Sequence, residues 1–546
     1  MTSTAKGVAD GAAPSPAGVE QDPARPIGGV PGAPSIARAR TLAARATGGN
    51  HPDSPPVTMT APFTGQPIVS LPQATDAEAR VAFDVARKAQ RDWAATPVAE
   101  RQRFLARLMR LILDRQDEAL DLIQVESGKS RVDAYDEVAG SALAASYYGR
   151  TAAKHLGAKR RAGVFPLLTR TTERRHPRGV VGIITPWNYP LVLTAMDVLP
   201  ALAAGNAVVH KPDNQTALSA LWLHELAEQA GLPDGLWQVV LGRGSVIGQA
   251  LIDESDYFAF TGSTATGKQL AGQVARRLRG FSMELGGKNP MIVLPDAKVD
   301  AAAAGAVTAC FANAGQICVG VERIYVHESI HDDFVRAFVA KTAALRLGAS
   351  LDYAADVGSL TSAAQLATTS DHVEDARRKG AEVLTGGRPR PDIGPLFYEP
   401  TILANVTPGM KVFAEETFGP VVSVYSYSDL DDAIARANDT EYGLNASVWT
   451  GNPRLGREVA ARIQAGTVNV NEGFAASFGS IDAPMGGFGD SGVGRRNGAE
   501  GIRRFTEVQT IAVQRGLRLR PVRGKAVRWW AALLNRGVKV LHRLPR

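Results

Sequence analysis

Residues 179–216 read GVVGIITPWNYPLVLTAMDVLPALAAGNAVVHKPDNQT, and this run decides the fold class. Val180–Ile184 is a short apolar stretch of strand length, the segment from Leu191 has the length and composition of a helix, and Ala207–His210 is apolar again. Strand, helix and strand in that order form a βαβ unit, whose strands lie parallel and are covered on both faces, so they read as continuous apolar runs. The alternation continues with a helix over Ala217–Ala230 and strands at Trp237–Leu241, Tyr257–Phe260 and Met291–Leu294. A second α/β series follows Glu322, with strands at Ile324–Val326, Val421–Tyr425, Ala446–Trp449 and Thr467–Val470. The expected fold is therefore α/β, with two doubly wound, Rossmann-like domains and a ligand crevice between them.

Outward from this core the texture changes. From Asp76 to about Ala153 apolar residues recur at spacings of three and four, which predicts helices. Lys159–Pro177 mixes strand-like pieces with clustered arginines and reads as a protruding hairpin. The first 55 residues are rich in Ala, Pro and Gly and read as a disordered extension, with order beginning near Pro56. No signal-peptide core stands there, and no run approaches the roughly 20 apolar residues of a transmembrane helix, so a cytoplasmic chain is expected.

Hydrophobic residues make up 45% and charged residues 21%, the balance of a folded globular chain. The net charge of +7 is unevenly spread: ten basic residues and no acidic one follow Glu507, and without them the remainder carries −3. A basic tail on a slightly acidic body, with no zinc-finger spacing and no aromatic-basic RNA motif, argues against nucleic-acid binding and predicts no metal site. In the tail, Lys525, Arg528, Asn535, Arg536, Lys539 and Arg543 share one helical face, and Val527, Trp529, Trp530, Leu533, Leu534, Val538 and Leu541 take the rest. This basic amphipathic helix over 516–546 suits either an anionic membrane surface or packing on its own subunit.

Two cysteines eight positions apart, Cys310 and Cys318, are too few for a disulfide framework. Of the glycine-rich turns, Gly242-Arg-Gly244-Ser-Val-Ile-Gly248 is one residue too long for the dinucleotide fingerprint. Gly262-Ser-Thr-Ala-Thr-Gly267-Lys268 approaches a P-loop but is followed by Gln269, where a magnesium-ligating hydroxyl is needed. A nucleotide triphosphatase is disfavoured, although such a turn still offers backbone N–H groups to a cofactor.

More specific is an ordered set: TPWNYP (Thr185–Pro190), FTGS (Phe260–Ser263), ELGGKNP (Glu284–Pro290), NAGQIC (Asn313–Cys318) and EETFGP (Glu415–Pro420). With these motifs the chain resembles the aldehyde dehydrogenase superfamily from about Pro56 to Gln514. The resemblance implies that Cys318 is the nucleophile forming a thioester, a role for which a soft thiolate is suited. It implies that the Asn188 side chain and the Cys318 N–H hold the oxyanion, and that Glu284 activates the hydrolytic water. Relatives that pass the acyl group to coenzyme A lack an acid at the Glu284 position, so the implied product is a free carboxylate. The resemblance further assigns Lys211, Trp187, Gly262, Ser263, Glu416 and Phe418 to a nicotinamide cofactor. It makes 56–158 with 178–286 the cofactor-binding domain, 287–486 the catalytic domain, and 159–177 with 500–515 the elements of a homodimer or homotetramer.

Departures from the family pattern bear on specificity. Many relatives carry an acid three places after the ribose lysine, which repels a 2′-phosphate; Lys211-Pro-Asp213-Asn214 places an amide there. NADP⁺ is thereby favoured, while Asp213 next door keeps NAD⁺ open. Asp197 replaces a lysine near the cofactor, either losing a ribose donor or marking a change of local pairing. PWNYPLVLTAMDVLPAL, KPDNQT, NDTEYGLNASVW and GSIDAPMGGFGDSGVGRR resemble the second, actinobacterial type of succinate-semialdehyde dehydrogenase, implying that aldehyde as substrate. Better-studied semialdehyde enzymes grip the substrate carboxylate with arginines where this chain has Met196 and Ala312. Another base, Arg323 or Arg495, would have to serve; a larger apolar aldehyde is the rival substrate. A non-catalytic scaffold on the same fold is the rival of another class, disfavoured because it has no use for Cys318, Glu284 and Asn188 together.

Overall fold

The computed structural model describes residues 22–49, 51–164, 168–515 and 526–543. The parallel runs anticipated from the apolar segments form two sheets. The first has six strands in the order Gly492–Val493, Gly280–Glu284, Tyr257–Thr261, Val180–Thr185, Ala207–Pro212, Trp237–Val239. All are parallel except the two-residue Gly492–Val493, which runs antiparallel against Glu284. Strand order reverses on either side of Val180–Thr185, so a topological switch point opens beyond the carboxyl ends of Val180–Thr185 and Tyr257–Thr261. Those ends run directly into Pro186-Trp187-Asn188 and Gly262-Ser263.

The second sheet has seven strands, with Asn289–Val293 near its centre between Val321–His327 and Asn445–Trp449. Only its edge strand Glu382–Thr385 is antiparallel. The chain passes from the first sheet at Glu284 to the second at Asn289 through Leu285-Gly-Gly-Lys288 and returns to the first at Gly492–Val493, so ELGGKNP is one of the joints between the two sheets. The helix Pro190–Ala203 is buried on every side, which explains why its sequence lacks a polar stripe.

One expected boundary is corrected. Residues 22–49 belong to the folded body: Ile36–Ala43 is a helix capped by Ser35, with Ile36, Ala39, Leu42 and Ala43 buried. Burying Ile36 and Leu42 contributes about 2 kcal/mol each, and Arg38 pins the helix to Glu118 and Glu225. Low-complexity composition concealed a four-residue apolar face. The segment 500–515 holds the end of the helix Gly498–Arg503 and the whole strand Thr506–Gln514.

Thr506–Gln514 pairs antiparallel with Thr169–Pro177, which also carries Lys159–Arg161, making a separate three-stranded sheet. Ala526–Arg543 is an 18-residue helix. No helix among the described residues is long and apolar enough to cross a membrane.

Candidate active site

Five loop segments, around Trp187, Gly262, Leu285, Cys318 and Glu416, converge on the switch point and enclose a cavity of about 280 Å³. Cys318, Glu284 and Asn188 line it together with Trp187, Gly262, Ser263, Glu416 and Phe418. Residues from 187 to 418 are thus gathered at one place, which is the strongest structural fact about them. Lys211, Asp213 and Asn214 stand apart from this cavity, at the end of the neighbouring strand Ala207–Pro212.

The loop carrying Cys318 is held by its backbone. Asn313, Ala314 and Gly315 all have positive φ, at 51°, 53° and 73°. Gly315 has no alternative, because a Cβ there would overlap the carbonyl of Gly419. Asn313 Nδ2 donates to Gln316 O at 3.1 Å and Asn188 O at 3.0 Å, tying the loop to the first domain. Asn188 Nδ2 donates to Gln316 O at 3.2 Å, which uses one of its two amide hydrogens. The Asn188 carbonyl also accepts from Lys129 Nζ at 2.7 Å; Lys129 is fully buried and paired with Glu137, which in turn accepts from the N–H groups of Leu191 and Val192. Lys129 and Glu137 escaped the sequence reading: nothing in their local pattern separates them from a solvated pair on a helix.

Burial pushes the Cys318 thiol up to about 12, with the Glu416 and Glu284 carboxylates adding to the rise and Arg496 opposing it. Burial also pushes Glu284 up to about 7, against the pull of Arg496 and Arg504. Its Oε1 is buried without a hydrogen-bond partner, the condition of a base that has not spent its lone pairs on structure. Cys310, by contrast, is packed with Phe311 and Ala306 in the core of the second domain.

The cavity suits a nicotinamide dinucleotide. Gly286 lines it, and a Cβ there would overlap the Glu416 carboxylate, which accepts from Gly287 N at 2.8 Å. Ser263 caps the helix Thr264–Ala275, whose N-terminus opens on the cavity and favours a pyrophosphate. Trp187 and Phe418 meet edge to face at 5.6 Å between centroids. Further along, Asn214 Nδ2 donates to Gln73 Oε1 at 2.9 Å, while Gln73 Nε2 is committed to Pro72 O at 3.0 Å. This chain of amides leaves Asn214 Oδ1 as a buried acceptor without a partner, suited to a ribose hydroxyl. Asp213 is occupied in accepting from Gln215 N at 2.9 Å. Arg243, which the sequence reading did not single out, lines a second cavity together with Gln73, the partner of Asn214.

Neither arginine proposed for a substrate carboxylate lines the Cys318 cavity. Arg323 is buried and donates to the carbonyls of Lys288, Arg436 and Ala437. Arg495 donates to the carbonyls of Gly487 and Gly494. Asp197 shows the change of local pairing: it is fully buried in ion pairs with Arg496 and Arg504.

The sequence model of the Aldehyde dehydrogenase family matches residues 50–511, and the chain belongs to that family. A protein of Mycolicibacterium smegmatis, provisionally named succinate-semialdehyde dehydrogenase (NADP(+)), is 51% identical over 483 residues, covering 88% of this chain and 93% of that protein. A betaine aldehyde dehydrogenase of Brucella melitensis is 37% identical, over 84% and 94% of the two chains. Among solved structures, an NADP-dependent enzyme of E. coli superposes with a TM-score of 0.82 at 34% identity, covering 86% and 98%. An NAD-dependent aldehyde dehydrogenase of Sinorhizobium meliloti gives 0.84 at 33% identity, covering 92% and 99%.

Proposed function

We propose that this chain oxidises an aldehyde to a free carboxylate with NAD⁺ or NADP⁺, through a thioester on Cys318. The observation that carries this is the single cavity shared by a thiol, an amide donor and an unpartnered buried carboxylate. The Cys318 sulfur adds to the aldehyde carbon as its thiol proton passes to a carboxylate lining the cavity, Glu284 or Glu416, and the carbonyl oxygen takes up charge beside the free Asn188 N–H. A bound nicotinamide supplies the two-electron acceptor. The acyl group then left on sulfur is attacked by a water whose proton passes to Glu284; the C–S bond breaks and the sulfur leaves as thiolate.

Succinate semialdehyde is the proposed aldehyde and NADP⁺ the favoured cofactor, on the names of relatives about half identical to this chain. The neutral Asn214 admits a 2′-phosphate and Arg243 offers it a cation, while the free Asn214 acceptor suits NAD⁺ as well. A second reading, a larger apolar aldehyde, is favoured by one observation: neither Arg323 nor Arg495 lines the Cys318 cavity. Initial rates by near-ultraviolet absorbance on succinate semialdehyde, hexanal and benzaldehyde, each with both cofactors, decide between them. The expected outcome is a kcat/KM at least about tenfold higher for succinate semialdehyde with NADP⁺, a margin of about 1.4 kcal/mol. Preference for hexanal or benzaldehyde would establish the second reading.

The assembly is proposed to be a homodimer or homotetramer. Thr506–Gln514 ends its sheet and exposes Val508, Ile511 and Val513, an edge that needs covering by another copy. The C-terminal helix is proposed to lie on an anionic membrane: Trp529 (66% exposed), Leu533 (42%) and Val538 (64%) are uncovered beside Arg528, Arg536 and Lys539. Co-sedimentation with anionic vesicles is expected for the full chain, to weaken with salt and to vanish on truncation after Arg515. Failure of the full-length oligomer to bind vesicles at low salt removes the membrane role.

A further inference from the structure

Three buried charges stand beside Glu284 and take no part in the steps above. Asp197, on the helix Pro190–Ala203, receives Arg496 Nε at 2.9 Å and Arg496 Nη2 at 2.6 Å, and Arg504 Nη2 at 2.5 Å. Arg496 also donates to Thr261 Oγ1, and Arg504 Nη1 donates to Ser282 Oγ at 2.9 Å. Those last two contacts locate the cluster. Thr261 is the cross-strand partner of Glu284, and Ser282 precedes Glu284 by two residues, on the same face of its strand. Neighbouring strands are about 5 Å apart, so a guanidinium resting on Thr261 lies next to the Glu284 carboxylate. Yet Glu284 Oε1 accepts no hydrogen bond.

We propose that Arg496 is a positioning residue for Glu284: clamped by Asp197 and Thr261, it fixes a positive charge beside the carboxylate without donating to it. The carboxylate is thereby favoured over the acid while an oxygen stays free for the proton of water. A direct ion pair would give more charge stabilisation but would occupy that oxygen. Asp197 makes the arrangement tolerable, because an uncompensated buried guanidinium is strongly destabilising. Two cations and one anion leave the cluster with one net positive charge, which is what Glu284 experiences. The charged groups facing Glu284 act in opposed directions: Arg496, Arg504 and Arg495 hold its pKa down, and Asp197 raises it, against the larger upward push of burial. The Cys318 sulfur faces the same pair of charges, raised by Glu284 and lowered by Arg496.

The proposal rests on Glu284 being the base, and the test separates the two claims. The acid limb of the kcat–pH profile is measured for wild type, R496Q, R496K, D197N and E284Q, with melting curves to confirm folding and the burst of reduced cofactor followed in stopped flow. Removing the cation raises the Glu284 pKa, so R496Q should move the limb alkaline by about one pH unit, a loss of up to about tenfold on the limb, with the burst retained. R496K should hold the limb within a few tenths of a unit. D197N removes a charge of the other sign and should move it towards acid. A merely structural cluster would not produce opposite shifts. A folded R496Q with an unmoved limb overturns the proposal, and so does an unmoved or alkaline-shifted limb in D197N, which decides the matter if R496Q fails to fold. If the limb persists in E284Q, the base itself has been misassigned.

Discussion

Cys318→Ala is expected to lower aldehyde-dependent cofactor reduction by about 10⁴-fold or more while leaving the melting temperature nearly unchanged. The size follows from what is removed: without the sulfur there is no covalent intermediate, and what remains is the binding and oxyanion stabilisation of the site. No other nucleophile can substitute. Cys310 is the one other thiol, and it is buried against Phe311 in the second domain's core, its pKa held well above the usual thiol range by burial and Glu322. The unchanged stability follows from where the thiol sits. Cys318 is partly exposed on a cavity wall, and the loop is held by Asn313, Gln316 and the Asn289 contact to the Cys318 carbonyl, none of which uses the sulfur. Cys310→Ala provides the contrast, with activity kept and stability lowered by about 1 kcal/mol, as for a buried group removed from a packed core. Reduced-cofactor absorbance and thermal melts of the two variants check this. Residual turnover in Cys318→Ala above about one hundredth of wild type would remove the thiol from the centre of the reaction.

How much of this was legible beforehand depends on the sequence distance of the interactions. Strands such as Val180–Thr185 and Asn445–Trp449 announce themselves because burial on both faces makes every residue apolar. The loops that meet at the cavity are legible through the family resemblance carried by TPWNYP, FTGS, ELGGKNP and NAGQIC, and in the structure each of these segments ends a strand or leads into one. The helix Ile36–Ala43 was hidden because alanine and arginine neighbours mask a face of only four buried residues. Nothing local marks Gly492–Val493, whose two residues gain their strand character from Glu284 and Met283 opposite. The Asp197–Arg496 pair spans 299 positions, so the sequence leaves a lost cofactor donor and a change of local pairing both open at Asp197, and the ion pairs show the second. Arg323 erred the other way: its charge suggested a ligand, but its hydrogen bonds are consumed by three main-chain carbonyls.

Glu284→Gln should separate the two halves of the reaction. Glutamine keeps the size and the buried position but cannot accept a proton at neutral pH. Thioester formation therefore proceeds and its hydrolysis stalls, giving one equivalent of reduced cofactor per site followed by a steady rate lowered by about 10²- to 10⁴-fold, the usual contribution of a positioned base. The intact mass of the protein should then rise by the acyl group on Cys318, and hydroxylamine should remove it. In wild type the same assignment sets the pH profile. With Glu284 pushed up to about 7 by burial, the carboxylate is the majority species only above that value, so kcat falls as pH drops through 7, and this limb is absent in the glutamine variant. A variant that shows no burst would carry a different message. The Cys318 thiol, held near 12 by burial with Glu416 and Glu284 alongside, has to lose a proton when it attacks, and a carboxylate lining the same cavity is the natural acceptor. Loss of the burst in Glu284→Gln would place that carboxylate at the first chemical step as well as the last, whereas a full burst confines it to the water.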